Sequence, residues 1–357
     1  MIAGEYPDAD SAWRDLAVDL RARGRVQEGR DQPTRELTHT VFTLRDPRQR
    51  VVFSRPINPA FAIAEVIAIL AGSDDVSFLG FWNPRMRQYS DDGIRLCGAY
   101  GYRLGSQPKL PATLATRLRH WTLSEGPKDQ LRMAYDALKA APPTRQVVLQ
   151  YWDGTLDMPN PLPRSKDIPC NLVSHLMIRQ EKLEWLQVMR SNDLFWGLPY
   201  NFIQFTTLQE ILAGWLGIQP GSYVHISDSL HAYKRHWKYL DSIPHVRSAR
   251  AENLADLRIR TYEAWEGIFG EVVDCALRLT EAKTAEELLS TFNDFSHLPS
   301  AYREWMALLT AEALRRRGFR TEAEEIVNLA GPLWRMSWQE WARRVDRPGR
   351  TPIAVTE

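Results

Sequence analysis

The sequence predicts an α+β body followed by an all-helical C-terminal extension, and three observations carry that prediction. Short runs of β-branched and apolar residues alternating with others, at 37–44, 172–178 and 183–189, have the two-residue period of strands. Other runs have helical spacing, as Trp13, Leu16, Ala17 and Leu20 do at i, i+3, i+4 and i+7. After about residue 250 strand signals vanish, and three Ser/Thr-x-x-Glu tetrads that fit a capping box begin at Thr284, Thr321 and Ser337. This change of character divides the chain into 1–245 and 246–357. The 357 residues, 44% hydrophobic and 25% charged, leave ample material for a core.

The elements follow in order. A helix over 10–23 ends at Gly24, a basic loop over 29–35 (GRDQPTR) follows, and 37–44 is a strand. The run 61–71 (FAIAEVIAILA) is an apolar helix closed by Gly72, with Glu65 inside it. A carboxylate there occupies either a narrow exposed face or a buried position with a purpose. Residues 105–128 read as a basic loop, 129–139 as a helix broken by Pro142-Pro143, and 147–152 as a strand. The proline-rich stretch 157–169 is a long loop that delivers the chain to Cys170. A helix over 206–216 ends at Gly217, and 223–226 is a short strand before a polar turn at Ser227-Asp228-Ser229. Helices at about 251–281, 284–294, 300–317, 321–330 and 337–345 complete the chain, and nothing in them suggests chemistry.

Composition excludes several classes. A formal net charge of +1 is not that of an electrostatic nucleic-acid binder. Three scattered cysteines make no disulfide framework, no CxxC pair suggests zinc, and a reducing cytoplasm is the expected setting. The N-terminal MIAGEYPDADSAW lacks the basic and apolar regions of a signal peptide, and no stretch approaches the roughly 18 apolar residues of a membrane span.

The strands 172–178 and 183–189 flank a polar turn, Arg179-Gln180-Glu181-Lys182. If the turn centres on Gln180, the strands fold back antiparallel and Cys170 lies opposite Arg190. Directly opposed residues bring their Cβ atoms to about 5 Å. A guanidinium beside a thiol favours the thiolate and can hold an anion next to it. The other reading is a small buried cysteine and an edge arginine.

The segment Arg190 to Asn201 reads RSNDLFWGLPYN; with Pro169-Cys170 and His231-Ala232-Tyr233 it resembles the thymidylate synthase family. That family has a catalytic cysteine in a Pro-Cys dipeptide, then Arg-Ser-x-Asp, Gly-Leu-Pro-Phe-Asn and His-x-Tyr. The steps from Cys170 to Arg190, Asn201 and His231 are 20, 31 and 61 residues, in register with the family throughout. Upstream, the helix bearing Glu65 is similar to the family's segment with the catalytic glutamate, LCGAYG places Tyr100 on its tyrosine, and Thr144-Arg145-Gln146 resembles its Ser-Arg-Arg. The resemblance covers about residues 10–240 and implies a thymidylate synthase-like mixed sheet with packed helices.

It also implies a chemistry: transfer of one carbon from 5,10-methylene-tetrahydrofolate to C5 of a pyrimidine nucleoside monophosphate. C5 is too weak a nucleophile until a thiolate, here Cys170, adds at C6. Asn201 would bind the ring at O4 and N3, and Glu65 would relay protons through water. Arg190, Ser191, Arg145 and Arg30 would bind phosphate, His231 and Tyr233 the sugar, and Asp193 would sit between base and folate. The family's counterpart of Arg145 reaches into the partner's site, which implies a homodimer. An amide at Asn201 suits uracil.

Several positions depart from the family. Asn171 replaces histidine after the cysteine, Gln146 replaces the second arginine, Ser229 replaces an aspartate, and the Arg30 loop matches poorly. The closing C-terminal tail of the family has only a faint echo at 352–355, with a helical extension in its place. If water reaches the methylene intermediate, the product is a 5-hydroxymethyl-pyrimidine nucleotide, as in the hydroxymethylases of the family. We therefore expect hydroxymethylation, with reductive methylation to dTMP and a non-catalytic nucleotide-binding relative as the alternatives.

Overall fold

The computed structural model describes residues 2–29, 32–121, 128–158, 165–243 and 250–346. In chain order the body comprises β1 (Ile2–Tyr6), α1 (Ala9–Arg23), β2 (Arg25–Gln27), β3 (Thr34–Leu44), α2 (Pro59–Ala71), α3 (Val76–Trp82), α4 (Tyr100–Leu104), α5 (Ala112–Leu118), α6 (Gln130–Ala140), β4 (Val147–Gln150), α7 (Gly154–Asp157), β5 (Asn171–Arg179), β6 (Lys182–Met189), β7 (Asn192–Asp193), α8 (Leu198–Trp215), β8 (Gln219–Tyr233) and α9 (Trp237–Leu240). Helices α10 (Tyr262–Glu281), α11 (Ala285–Asp294), α12 (Ser300–Arg316), α13 (Arg320–Ile326) and α14 (Gly331–Val345) follow.

The strands form one mixed sheet in the order β1-β3-β8-β6-β5-β4, with β2 beside β3 and β7 beside β8. Strands β6 and β8 are parallel, so α8 is the crossover between them, as a parallel pair requires. Seventeen of the eighteen residues of α8 are buried, which makes it the central helix of the core. Helix α2 packs against it; all thirteen of its residues except Glu65 are buried, and Gly72 closes it at φ 69°. Helix α2 is apolar all round but for Glu65, as a helix covered on every side is, whereas α8 buries Asn201, Gln204, Gln209 and Glu210 among its apolar residues.

The C-terminal helices share this core. Helices α10, α12 and α14 all pack on α2. Two buried carboxylates tie the parts together. Glu210 on α8 binds Arg50, lies 3.2 Å from Arg48 and accepts the Leu257 amide at 3.2 Å. Glu312 on α12 pairs with Arg315 at 2.8 Å and Arg316 at 3.0 Å, and accepts from Trp338 Nε1 at 3.3 Å and Asn58 Nδ2 at 3.5 Å. A buried carboxylate is tolerated only with such partners.

The structure corrects several expectations. Helix α8 starts two turns before residue 206, because a helix buried on every side has no polar stripe to mark its beginning. Strand β8 is one fifteen-residue strand, and Ser227 and Ser229 pair with Thr40 and Thr38 instead of turning. Opposite Asp228, His39 takes φ 55°, so the polar triplet marks a kink and not a turn. The expected loop over 105–128 contains α5, and residues 251–261 are not helical. Only Thr284 forms a capping box; Thr321 and Ser337 lie inside α13 and α14.

Candidate active site

The hairpin that sets the site turns on two residues, Gln180 and Glu181, both with positive φ (49° and 58°), so Arg179 pairs with Lys182. Continued unbroken, that register would miss the pairing of Cys170 with Arg190 by one residue. It shifts between Asn171 and Val173, leaving Leu172 unpaired in a bulge. The leftover carbonyl of Leu172 accepts from the amides of Tyr151 and Trp152 at 3.0 and 3.3 Å. Beyond the bulge the Arg190 amide donates to the Cys170 carbonyl at 3.0 Å. The expected pair is formed, by a tighter turn compensated by a bulge.

Arg190 is fixed by its surroundings. Its Nε donates to the Pro169 carbonyl at 3.0 Å, its Nη2 to that of Ile168 at 3.3 Å, and its guanidinium lies over Trp152 at 5.3 Å. Nη2 is 4.0 Å from Cys170 Sγ. Burial nevertheless outweighs the guanidinium: the Cys170 thiol is pushed above its ordinary value, with Asp167 and Asp193 adding to the rise and Arg190 opposing it. Burial thus prevails over the lowering that Arg190 alone would give. Asp167 is itself raised to about 6 by burial, and accepts the Gly98 amide at 2.8 Å.

Glu65 projects from the middle of α2. Its Oε2 is buried with no hydrogen-bond partner among the described residues, and burial raises the carboxyl to about 8, a hydrogen bond from Gln204 pulling the other way. Asn201 sits in the first turn of α8, where its Nδ2 donates to Gln204 Oε1 at 3.0 Å and its Oδ1 is buried without a partner among the described residues. Tyr100, in the first turn of α4, is half-buried against Tyr151 and Phe205 and feels both Cys170 and Glu65, which puts thiol and carboxyl around one phenol. Asn171 is fully buried; its Oδ1 accepts from Gln187 at 2.9 Å.

Asp193 and His231 are neighbours across the β7–β8 ladder. Asp193 accepts the amides of Phe195 and Trp196 at 2.7 and 3.2 Å, and burial raises it although His231 draws it down. His231 and Tyr233 share one face of β8, their rings 5.3 Å apart, and Ser191 follows Arg190 in the gap between β6 and β7. Beside them Arg85 and Arg235 lie over Trp196 at 4.9 and 4.2 Å, and Arg55 lies over Phe195 at 5.6 Å. Arg344, from α14, acts electrostatically on Arg55. Arg145 is not brought to this cluster. It precedes Val147, which pairs with Leu176, six residues along β5 from Cys170 and roughly 20 Å away at strand rise. Arg30 lies outside the described residues.

Sequence reasoning passed over Gln204, Asp167, Tyr151 and Arg55. Gln204 had one available signal: it lies three residues from Asn201, hence on the same helix face.

The thymidylate synthase family model matches residues 12–272. Three curated relatives are each called deoxyuridylate hydroxymethyltransferase. That of Bacillus phage SP01 is 37% identical over 230 residues, covering 62% of this chain and 56% of its own. That of Pseudomonas phage M6 is 34% identical over 232 residues, covering 64% and 60%. That of Delftia phage PhiW-14 is 31% identical over 225 residues, covering 60% and 57%. The chain thus spans little more than half the length of these relatives.

Proposed function

Because this chain belongs to the thymidylate synthase family, we propose that it hydroxymethylates C5 of deoxyuridylate, taking the carbon from 5,10-methylene-tetrahydrofolate. The observation that carries this reading is Cys170 Sγ held 4.0 Å from Arg190, with Glu65 and Asn201 in the same buried neighbourhood. The relatives' common name supports the uracil base and the hydroxymethyl product, and an amide at 201 agrees with the base.

The steps use this chain's residues in turn. Cys170, as thiolate, bonds to C6, and the C5=C6 electron pair moves toward O4, where Asn201 donates. C5 then bonds to the one-carbon unit and loses its proton, with Glu65 as the carboxyl that moves protons nearby. The folate amine leaves as tetrahydrofolate, water adds to the resulting exocyclic methylene, and expulsion of Cys170 restores the ring. The buried, unpartnered Asn201 Oδ1 and Glu65 Oε2 are polar atoms that such a ligand would satisfy. Arg85 and Arg235 over Trp196, with Arg55 over Phe195 and Arg344 over Tyr239, suit the carboxylated tail of a folate.

A homodimer belongs to this reading. One face of the sheet is covered by α8. The other presents two cross-strand rows, Val148-His175-Leu186-Val224-Thr43 and Gln150-Val173-Val188-Ile226-Val41, largely apolar and partly exposed, with Val148 51% exposed. An apolar sheet face of this extent suits a second copy. Arg145 lies at the edge of that face.

The test is tritium release from C5-labelled deoxyuridylate with methylene-tetrahydrofolate, followed by mass analysis. Release with a 5-hydroxymethyl product and no dihydrofolate supports the reading. Dihydrofolate with a methyl product would replace it by reductive methylation, and no release from any pyrimidine monophosphate would end it.

A further inference from the structure

We propose that Gln204 determines base specificity by positioning: held by the Glu65 carboxyl group, its amide turns Asn201 so that the Asn201 carbonyl oxygen faces the pyrimidine edge and selects uracil over cytosine. The inference deepens the function proposed above and rests on it.

The argument follows from donors and acceptors alone. Glu65 is on α2; Asn201 and Gln204 are one turn apart on α8, both 4% exposed or less. The hydrogen bond from Gln204 pulls the raised Glu65 carboxyl down, so Gln204 is the donor and turns its NH2 toward Glu65. That leaves Gln204 Oε1, which only accepts, facing Asn201. Asn201 must meet it with Nδ2, and the two atoms are 3.0 Å apart. Amide orientations are commonly assigned from such networks; here the bond that Gln204 gives to Glu65 and the one that it accepts from Asn201 Nδ2 agree on each one.

The remaining atom is Asn201 Oδ1, buried and without a partner among the described residues. Uracil offers N3–H to that oxygen, and O4 to the second hydrogen of Nδ2. Cytosine offers a bare N3 and an N4 amine, so a lone pair would meet a lone pair. A buried polar site rejects the ligand that leaves its groups unpaired. Without Gln204 nothing in this chain of bonds prevents Asn201 from rotating and presenting Nδ2 to cytosine N3. The residue acts through Asn201, and its effect belongs in the preference between bases.

The experiment measures binding and turnover of deoxyuridylate and deoxycytidylate by the full chain, in wild type, Gln204→Leu and Gln204→Glu. Gln204→Leu removes both links, and its preference for deoxyuridylate should fall by about tenfold or more. Gln204→Glu keeps an oxygen for Asn201 Nδ2 and should hold the preference within about threefold while lowering turnover through its crowding of Glu65. If Gln204→Leu does not fold, Gln204→Met, closer in shape, takes its place. Equal losses for both nucleotides in every variant, with the ratio unchanged, would mean a purely structural residue and overturn the inference. So would a wild-type protein that prefers deoxycytidylate. A wild type that binds neither nucleotide defeats the proposed function itself, and the inference with it.

Discussion

Cys170 and Arg190 meet because Leu172 does not pair: the two-residue turn and the bulge displace the strands by equal and opposite steps. The arginine then does two jobs. Its backbone and Nε hold the Pro169–Cys170 segment, and its Nη2 stands by the sulfur.

Thiol reactivity should report that second job. Cys97 is exposed and Cys275 buried, so a Cys97→Ser background leaves Cys170 as the accessible thiol. In Arg190→Ala, with burial unopposed, the midpoint of alkylation rate against pH should move up by roughly one unit. An unmoved midpoint would mean that the guanidinium does not act on the sulfur. Cys170→Ser should lower tritium release by roughly 10⁴-fold or more while nucleotide binding survives.

Glu65 gives a pH signature with a definite sign. Its folded value, about 8, lies above the ordinary 4.5, so the fold favours the protonated form. The stability this provides is complete below the ordinary value and is lost as pH rises through 8. Relative to wild type, Glu65→Gln should therefore gain stability between about pH 5 and 9, reaching about 2–4 kcal/mol at the alkaline end, while turnover falls by about 10² or more. Denaturant melts at several pH values measure the first; a constant difference across that range would refute it.

The dimer reading can be tested on the sheet face and across it. Ile226→Lys should convert the protein to a monomer in sedimentation. If Arg145 completes the partner's site, mixing inactive Cys170→Ser with weakened Arg145→Ala, under subunit exchange, should restore about a quarter of the sites. Activity that stays at the sum of the two separate variants would place Arg145 outside the shared site.

Glu312 should matter although it is none of the candidate site's residues. Glu312→Ala leaves Arg315 and Arg316 without their buried partner and removes an acceptor from Trp338 and Asn58. Urea unfolding should show a loss of about 3 kcal/mol. A loss below about 1 kcal/mol would mean that the network does little to hold α12 on α2.

Periodicity found the elements that have one dry side and one wet side. It located β3, β5, β6, α1 and α6 to within a few residues, because alternation or a polar stripe survives in them. It failed where pairing or complete burial decides. Strand β1 exists because β3 is there to pair with it, β8 runs through a polar triplet because two neighbours hold it, and the start of α8 is hidden by its uniform burial. The juxtaposition of Cys170 and Arg190 was legible from spacing, although two compensating irregularities were not. Asn201 was visible only through its motif, and Gln204 only through its place one turn on from Asn201, since an amide buried in a helix covered on every side has no polar stripe to mark it.

Asn58 caps α2 two turns before Glu65, and its amide reaches toward Glu312 on a helix some 250 residues later in the chain. A shortened version ending near residue 250 would be a wounded protein and not a leaner one. It would take the Leu257 amide from Glu210, uncover the outer side of α2 and drop Arg344 from the aromatic wall. Engineers who seek a minimal catalyst from this chain should trim the surface loops and leave the last helices in place.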